Sequence, residues 1–318
     1  MSRRILAACL ALLAPFAAAQ NFPSRPIEVI VGYGAGGGSD LSIRMVEDGA
    51  AKRLGQKIVV TNRPGAGGIV AFNQFVRAQP DGYTLAIGTT ATLTVQPHIE
   101  PSAVLWKPDD YVPIAQISFI PNVLIVPADS PIKTYAQLIE AAKKGGPGKL
   151  KVGITSIGTM IHLPLVQVEK LHGVKFTYIP HKSSAAIVTS VMGSHLDAAG
   201  ADLPAVATQI RAGSVRALGI FAAHRLATLP DVPTLKELGT DVEAGFYNML
   251  FAPKGTPEPV LAKLRAAFRD ALQDPQVIDR ANKADLPIEY LDSDASRKRL
   301  TRDYEIHGAL IRELGLAK

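Results

Sequence analysis

Residues 27–44, IEVIVGYGAGGGSDLSIR, run from an extended apolar stretch into a loop with glycine at 32, 34, 36, 37 and 38. Ser39 and Asp40 then open a helical pattern. Glycines let the backbone turn sharply and approach a bound group closely. Unpaired N–H groups at a helix start, together with the helix dipole, attract an anion. The segment predicts a strand, an anion-cradling loop and a helix, and it commits the chain to an α/β fold.

The rest of the chain keeps this alternation. Strands are expected at 27–31, 58–61, 84–89, 123–126, 151–154, 175–179, 198–201 and 217–221. Helices are expected at 41–54, 69–78, 135–144, 160–172, 185–192 and 204–212. The pattern implies parallel sheets covered by helices. The C-terminal third reads as mostly helical. Thr256-Pro257-Glu258 predicts a helix start with a cap, a first-turn proline and an early acid. Val260, Leu261, Leu264, Phe268 and Leu272 mark that helix's apolar face.

The opening plan recurs at 151–162, KVGITSIGTMIH, and at 175–188, where His181-Lys182-Ser183-Ser184 lead into a helix. Ligands in open α/β sheets sit beyond the carboxyl ends of strands. One loop from the N-terminal part and two from the middle are therefore expected to face each other across a cleft.

Arg3 and Arg4, an apolar run over 5–16 and Ala17-Ala18-Ala19 form an export-signal pattern. The run is too short to span a membrane. Cys9 is the one cysteine of the 318 residues. Too little chain precedes it for a lipoprotein signal. Cleavage after Ala19 would leave no disulfide, thiolate nucleophile or cysteine metal ligand. It would also lower the net charge of +6 by two. The remaining basic residues are scattered, so no nucleic acid is expected as a partner.

Several chemistries lack their parts. Gly32-Tyr33-Gly34-Ala35-Gly36-Gly37 fits G-x-G-x-x-G, but the second strand ends at Thr61-Asn62-Arg63-Pro64 without the acid a dinucleotide site needs. Ser39 and Ser156 each lack one of the two flanking glycines of a nucleophile elbow. The seven histidines show no metal-ligand spacing. No cofactor and no metal are expected. His162 and His181 follow cleft loops, and His162 reads equally as a ligand contact or a backbone-bonding helix-start residue. Asp40 reads as a helix cap or a loop organiser, and Lys182 as an anion's point charge or a solvated loop residue.

Six runs then match a known family. They are PSRPI at 23–27, GAGGGSD at 34–40, VTNRPGAGG at 60–68, AQPDGYT at 78–84, GSVRAL at 213–218 and LPDVPT at 229–234. The chain resembles the periplasmic substrate-binding proteins of tripartite tricarboxylate transporters, the Bug family. The resemblance implies a periplasmic-binding-protein type II-like α/β fold of two lobes joined by two crossing strands. It puts lobe I at 22–122 plus 248–318 and lobe II at 123–247, after a signal peptide at 1–19. It also implies a small carboxylate, a di- or tricarboxylate or related organic acid, held largely by backbone N–H groups and ordered waters.

The positions that correspond to the family's site begin in the first loop with Tyr33, Ala35, Gly36, Gly37, Gly38, Ser39 and Asp40. After the third strand come Thr89 and Thr90, and in the middle segment Thr155, Ser156, Gly158, Thr159 and His162. His181, Lys182, Ser183, Ser184, Ala185 and Asp202 complete the set. The family usually carries phenylalanine at Tyr33 and a tyrosine-lysine-glycine run at His181-Lys182-Ser183.

The function so implied is a monomeric periplasmic receptor that delivers a carboxylate to membrane permease subunits of a tripartite tricarboxylate transporter. The alternatives are a sensing module that acts on a membrane sensor kinase, and a periplasmic enzyme. No catalytic constellation supports the enzyme.

Overall fold

The computed structural model describes residues 22–317, so the signal-peptide reading of 1–19 and Cys9 lie outside the described residues. The chain opens with β1 (Ile27–Val31), α1 (Gly38–Leu54), β2 (Ile58–Asn62), α2 (Ile69–Phe75) and β3 (Thr84–Thr89). β1 is central and pairs in parallel with β2 and β3. Ile27, Val29, Ile30 and Val31 are fully buried, as expected of a parallel strand covered on both faces. A π-helical turn, Ala91–Val95, then leads through the short α3 (Gln96–Ile99) to β4 (Tyr111–Pro127).

The middle of the chain alternates as its patterning implies. It runs α4 (Tyr135–Gly145), β5 (Lys151–Ile154), α5 (His162–His172), β6 (Thr177–Pro180), α6 (Ser184–Met192), β7 (Ala198–Asp202), α7 (Leu203–Arg211) and β8 (Val215–Ile220). The chain returns along β9 (Gly245–Pro253). It ends with α8 (Glu258–Leu272), α9 (Pro275–Lys283), β10 (Ile288–Leu291) and α10 (Ser293–Glu313).

The strand order is β2-β1-β3-β9-β4-β7-β5-β6, with β8 and β10 also on β4. The 17-residue β4 belongs to two strand groups. Its first part pairs with β9 and β10, and its last part with β7 and β8. β9 runs antiparallel between β3 and β4. The sheet is therefore mixed, where alternation alone implied parallel strands. The reason is that β4 and β9 carry the chain out of one strand group and back, so they run in opposite directions.

Sequence patterning does not find the first part of β4 or β10, and β9 (Gly245–Pro253) is anticipated only as the second crossing strand that the family resemblance implies. Pro113 and Pro121 punctuate β4 and read as breakers; the ladder accommodates the first at a register shift between Pro113 and Ala115. The apolar face of α8 packs as its spacing predicts, with Val260, Leu261, Leu264, Phe268 and Leu272 all buried. Its start differs from expectation. The Thr256 hydroxyl donates to the Pro253 carbonyl at 2.8 Å, and no side chain caps the helix.

Candidate functional site

Asp40 sits in the first turn of α1 and organises the loop before it. One carboxylate oxygen accepts from the Gly36 N–H at 2.9 Å, the other from the Asn62 amide at 3.0 Å, and both from Arg44 Nε. Burial pushes this carboxyl up, but the bonds from Arg44, Gly36 and Asn62 outweigh it and hold the carboxyl below its ordinary value. The Asn62 amide also donates to the Tyr33 carbonyl. The first bond of the helix runs from the Leu41 N–H to the Gly37 carbonyl. The N–H groups of Gly38, Ser39 and Asp40 thus lie ahead of the helical ladder, at the positive end of its dipole.

The Tyr33 hydroxyl reaches the Gly67 carbonyl at 3.0 Å, Thr89 Oγ1 at 2.9 Å and Thr92 Oγ1 at 3.1 Å. It ties the first loop to the end of β3. Gly68, from the same glycine run, has φ +92°, and a Cβ there would meet Thr92 Oγ1 at 2.4 Å. Glycine is required at that close approach.

Strand register then builds a floor. Thr89 pairs with Asn248, Asn248 with Ser118, Phe246 with Ile120, and Asn122 with Asp202. Alternate residues on a strand share a face, so these side chains form one surface across β3, β9, β4 and β7. Above it lies a cavity of about 540 Å³. Tyr33, Gly36, Gly38, Ser39, Leu41, Thr89 and Ala91 line it from one side. Ile120, Asp202, Pro204, Ala205, Phe246, Asn248, Ala284 and Leu286 complete it. Asn248 donates to Ser118 Oγ at 3.0 Å, Ser118 lies 2.9 Å from Ser42 Oγ, and Ser42 donates to the Gly38 carbonyl at 2.7 Å. This chain anchors the start of α1 to the crossing strands.

Asp202 stands at the N-cap of α7 but does not cap it. Its carboxylate accepts instead from the Asn122 amide at 3.0 Å and the Ser184 hydroxyl at 2.7 Å. Burial raises its pKa, against the lowering effect of Ser184 and Asn122.

Of the residues singled out in sequence, Tyr33, Gly36, Gly38, Ser39, Thr89 and Asp202 come together around this cavity. Ala35 is exposed in the same loop, and the Gly37 N–H turns back to the Gly34 carbonyl. Thr90 is buried, accepting from the Tyr247 N–H and donating to the Gly245 carbonyl. The two middle-segment loops do not line the cavity. Thr155 bonds Thr159, which bonds the Ser156 carbonyl. His162 is buried against the Tyr178 ring and accepts from the Gly158 N–H, and burial pushes its imidazole down to about 4. The two His181 nitrogens engage the Ile179 carbonyl and the Ser190 hydroxyl. Lys182 and Ala185 are exposed, Ser183 caps α6, and Ser184 reaches the cavity through Asp202.

Sequence reasoning missed Ile120, Phe246, Asn248, Pro204, Ala205, Ala284 and Leu286. The apolar ones are indistinguishable from core residues until register assigns them a face. Among the described residues no group of three or more His, Cys, Asp or Glu is placed to hold a metal, and no helix is long and apolar enough to cross a membrane.

The tripartite tricarboxylate transporter family receptor, TctC, matches residues 42–316. A UPF0065 protein from the gbd 5' region of Cupriavidus necator is 36% identical over 315 residues, covering 97% of this chain and 93% of the relative. Protein BugT of Bordetella pertussis is 30% identical over 314 residues, 98% of this chain and 95% of BugT. A crystal structure of a Polaromonas TctC solute-binding protein without ligand superposes with a TM-score of 0.85 at 32% identity, covering 92% and 99% of the two chains. MatC of Rhodopseudomonas palustris with bound malate gives 0.68 at 27% identity, covering 91% and 100%. Fold, relatives and matched family agree: this chain belongs to the TctC, or Bug, family of tripartite tricarboxylate transporter receptors, which are binding proteins and not enzymes.

Proposed function

We propose that the chain is a periplasmic receptor that captures a small carboxylate between two lobes and delivers it to a tripartite tricarboxylate-type permease. The observation that carries this reading is the cavity itself, where the N–H groups that start α1 face the residues that start α7 across the crossing strands β4 and β9. An anion at the start of α1 gains from the helix dipole and from unpaired donors without a buried protein cation. Malate bound in MatC supports a carboxylate as ligand.

Lobe I would comprise residues 22–122 plus 248–318 and lobe II residues 123–247, with β4 and β9 as the hinge. On closure, the loops at 155–159 and 181–185 would approach the first loop.

A thermal-shift screen of the chain from residue 20 onward against mono-, di- and tricarboxylates tests the reading. A ligand at a hundred times its Kd adds about 2.7 kcal/mol of stability. Melting temperatures unmoved by every acid would overturn it. Uptake of the bound acid lost on deletion of the chain places it with a permease; uptake intact with lost gene induction places it with a sensor.

A further inference from the structure

The cavity of an anion receptor would ordinarily be expected to keep negative side chains away. Here the single charged side chain lining it, among the described residues, is the carboxylate of Asp202. No lysine or arginine pairs with that carboxylate among the described residues. Its two bonds come from neutral donors, Asn122 and Ser184. A carboxylate has about four acceptor sites, so further acceptor capacity remains for a donor in the cavity. The start of α7 offsets part of the charge but supplies no cation.

The surface between the two ends is apolar. Ile120 and Phe246 pair at the middle of the floor, and Leu41, Pro204 and Leu286 add to the walls. Gly38 at the start of α1 lies against Ile120, where a Cβ would meet Ile120 Cδ1 at 3.4 Å. Asp202 pairs with Asn122, two residues along β4 from Ile120, so one strand spacing across and two residues along separate it from Ile120, roughly 8 Å at the usual spacings.

We infer that the ligand is an elongated acid with one carboxylate at the start of α1, an apolar body over Ile120 and Phe246, and a hydrogen-bond donor, hydroxyl or ammonium, facing Asp202. A second carboxylate at that end would meet a carboxylate, so unsubstituted diacids are selected against. The inference rests on the receptor reading and narrows its ligand class.

The test is calorimetric titration at pH 7 with three acids of one chain length: hexanedioate, ω-hydroxyhexanoate and ω-aminohexanoate. The hydroxy and amino acids are expected to bind at least about tenfold more tightly than the diacid, since like-charge juxtaposition is strongly unfavourable. Asp202→Asn, checked for folding by circular dichroism, is expected to bring the amino acid and the diacid to within a few-fold of each other. A diacid that binds the unmodified protein as tightly as the other two overturns the inference. So does a preference that Asp202→Asn leaves unchanged. If none of the three binds while another small carboxylate raises the melting temperature, the inference falls and the receptor reading stands. If no carboxylate binds at all, both fall.

Discussion

Asn62, at the end of β2, donates its amide to the carboxylate of Asp40 at 3.0 Å, joining the second strand to the first turn of α1. The same amide holds the Tyr33 carbonyl, and the same carboxylate holds the Gly36 N–H. The glycine-rich loop is thus shaped by a side-chain clamp and not by glycine alone.

Asp40→Asn keeps the size of that clamp and removes its charge. The bonds it weakens are charge-assisted, and the expected loss of stability is about 1–3 kcal/mol at pH 7. Because the folded carboxyl titrates below its ordinary value, its contribution is present above the ordinary carboxylate pKa and fades as pH falls through the lowered one. Urea midpoints measured from pH 7 to pH 3 should fall more gently on the acid side for the variant. Equal acid slopes would remove Asp40 from the clamp.

Tyr33→Phe deletes a hydroxyl with three partners, Gly67, Thr89 and Thr92. Thr89 and Thr92 still bond each other at 3.0 Å, so the loss is limited to about 1 kcal/mol. Chemical denaturation should register it, and the Kd of any acid found in the screen should rise. An unaltered Kd would mean that loop position does not depend on this hydroxyl.

Gly245 starts β9 where it meets β4, and a Cβ there would lie 2.3 Å from the Ile120 carbonyl oxygen and 2.7 Å from Pro121 Cα. Both atoms are backbone, so relief requires the crossing strands to move apart. Gly245→Ala is expected to cost about 2 kcal/mol or more. A melting temperature within a degree of the unmodified protein would show that the crossing is pliable.

Burial holds the imidazoles of His162 and His307 down to about 4. Each stays neutral in the folded chain while its unfolded counterpart gains a proton below about 6.5. The stability they provide is therefore complete above that pH and is lost as pH falls from about 6.5 toward 4, by up to about 3 kcal/mol per histidine. Denaturation series at pH 7, 6, 5 and 4.5 should show this decline. His307→Gln should flatten it, and a decline of unchanged steepness would exclude His307 as a cause.

Lys182 is exposed beside α6 and does not line the cavity. Lys182→Ala should raise the Kd of a bound acid and flatten its salt dependence, because lobe closure would bring the 181–185 loop toward the first loop. A Kd and a salt slope that both stay unchanged would leave this ammonium a surface charge.

The local plan of the chain was legible because its signals are local. Apolar runs and glycine clusters give β1, β3 and β5 with their observed bounds, and the periodicity of α8 gives its buried face. The start of β4 was hidden by its prolines, and β10 by a short sequence that is only partly buried. Around the cavity, Tyr33 and the glycines were visible from the loop itself. Ile120, Phe246 and Asn248 were not, since nothing in a buried strand marks which residues face a cleft.

The sequence by itself determined an α/β chain, a glycine-rich loop that opens a helix, and membership of a receptor family through six short runs. Only the tertiary structure decided what that loop faces. The antiparallel register of β4, β9 and β7 places Asn248, Phe246, Ile120 and Asp202 on one surface, through strand pairs such as Asn122–Asp202 and Ser118–Asn248 that lie 80 and 130 positions apart in sequence. Such register is a non-local property of strand pairing, and a slip of one residue would turn every one of those side chains to the opposite face.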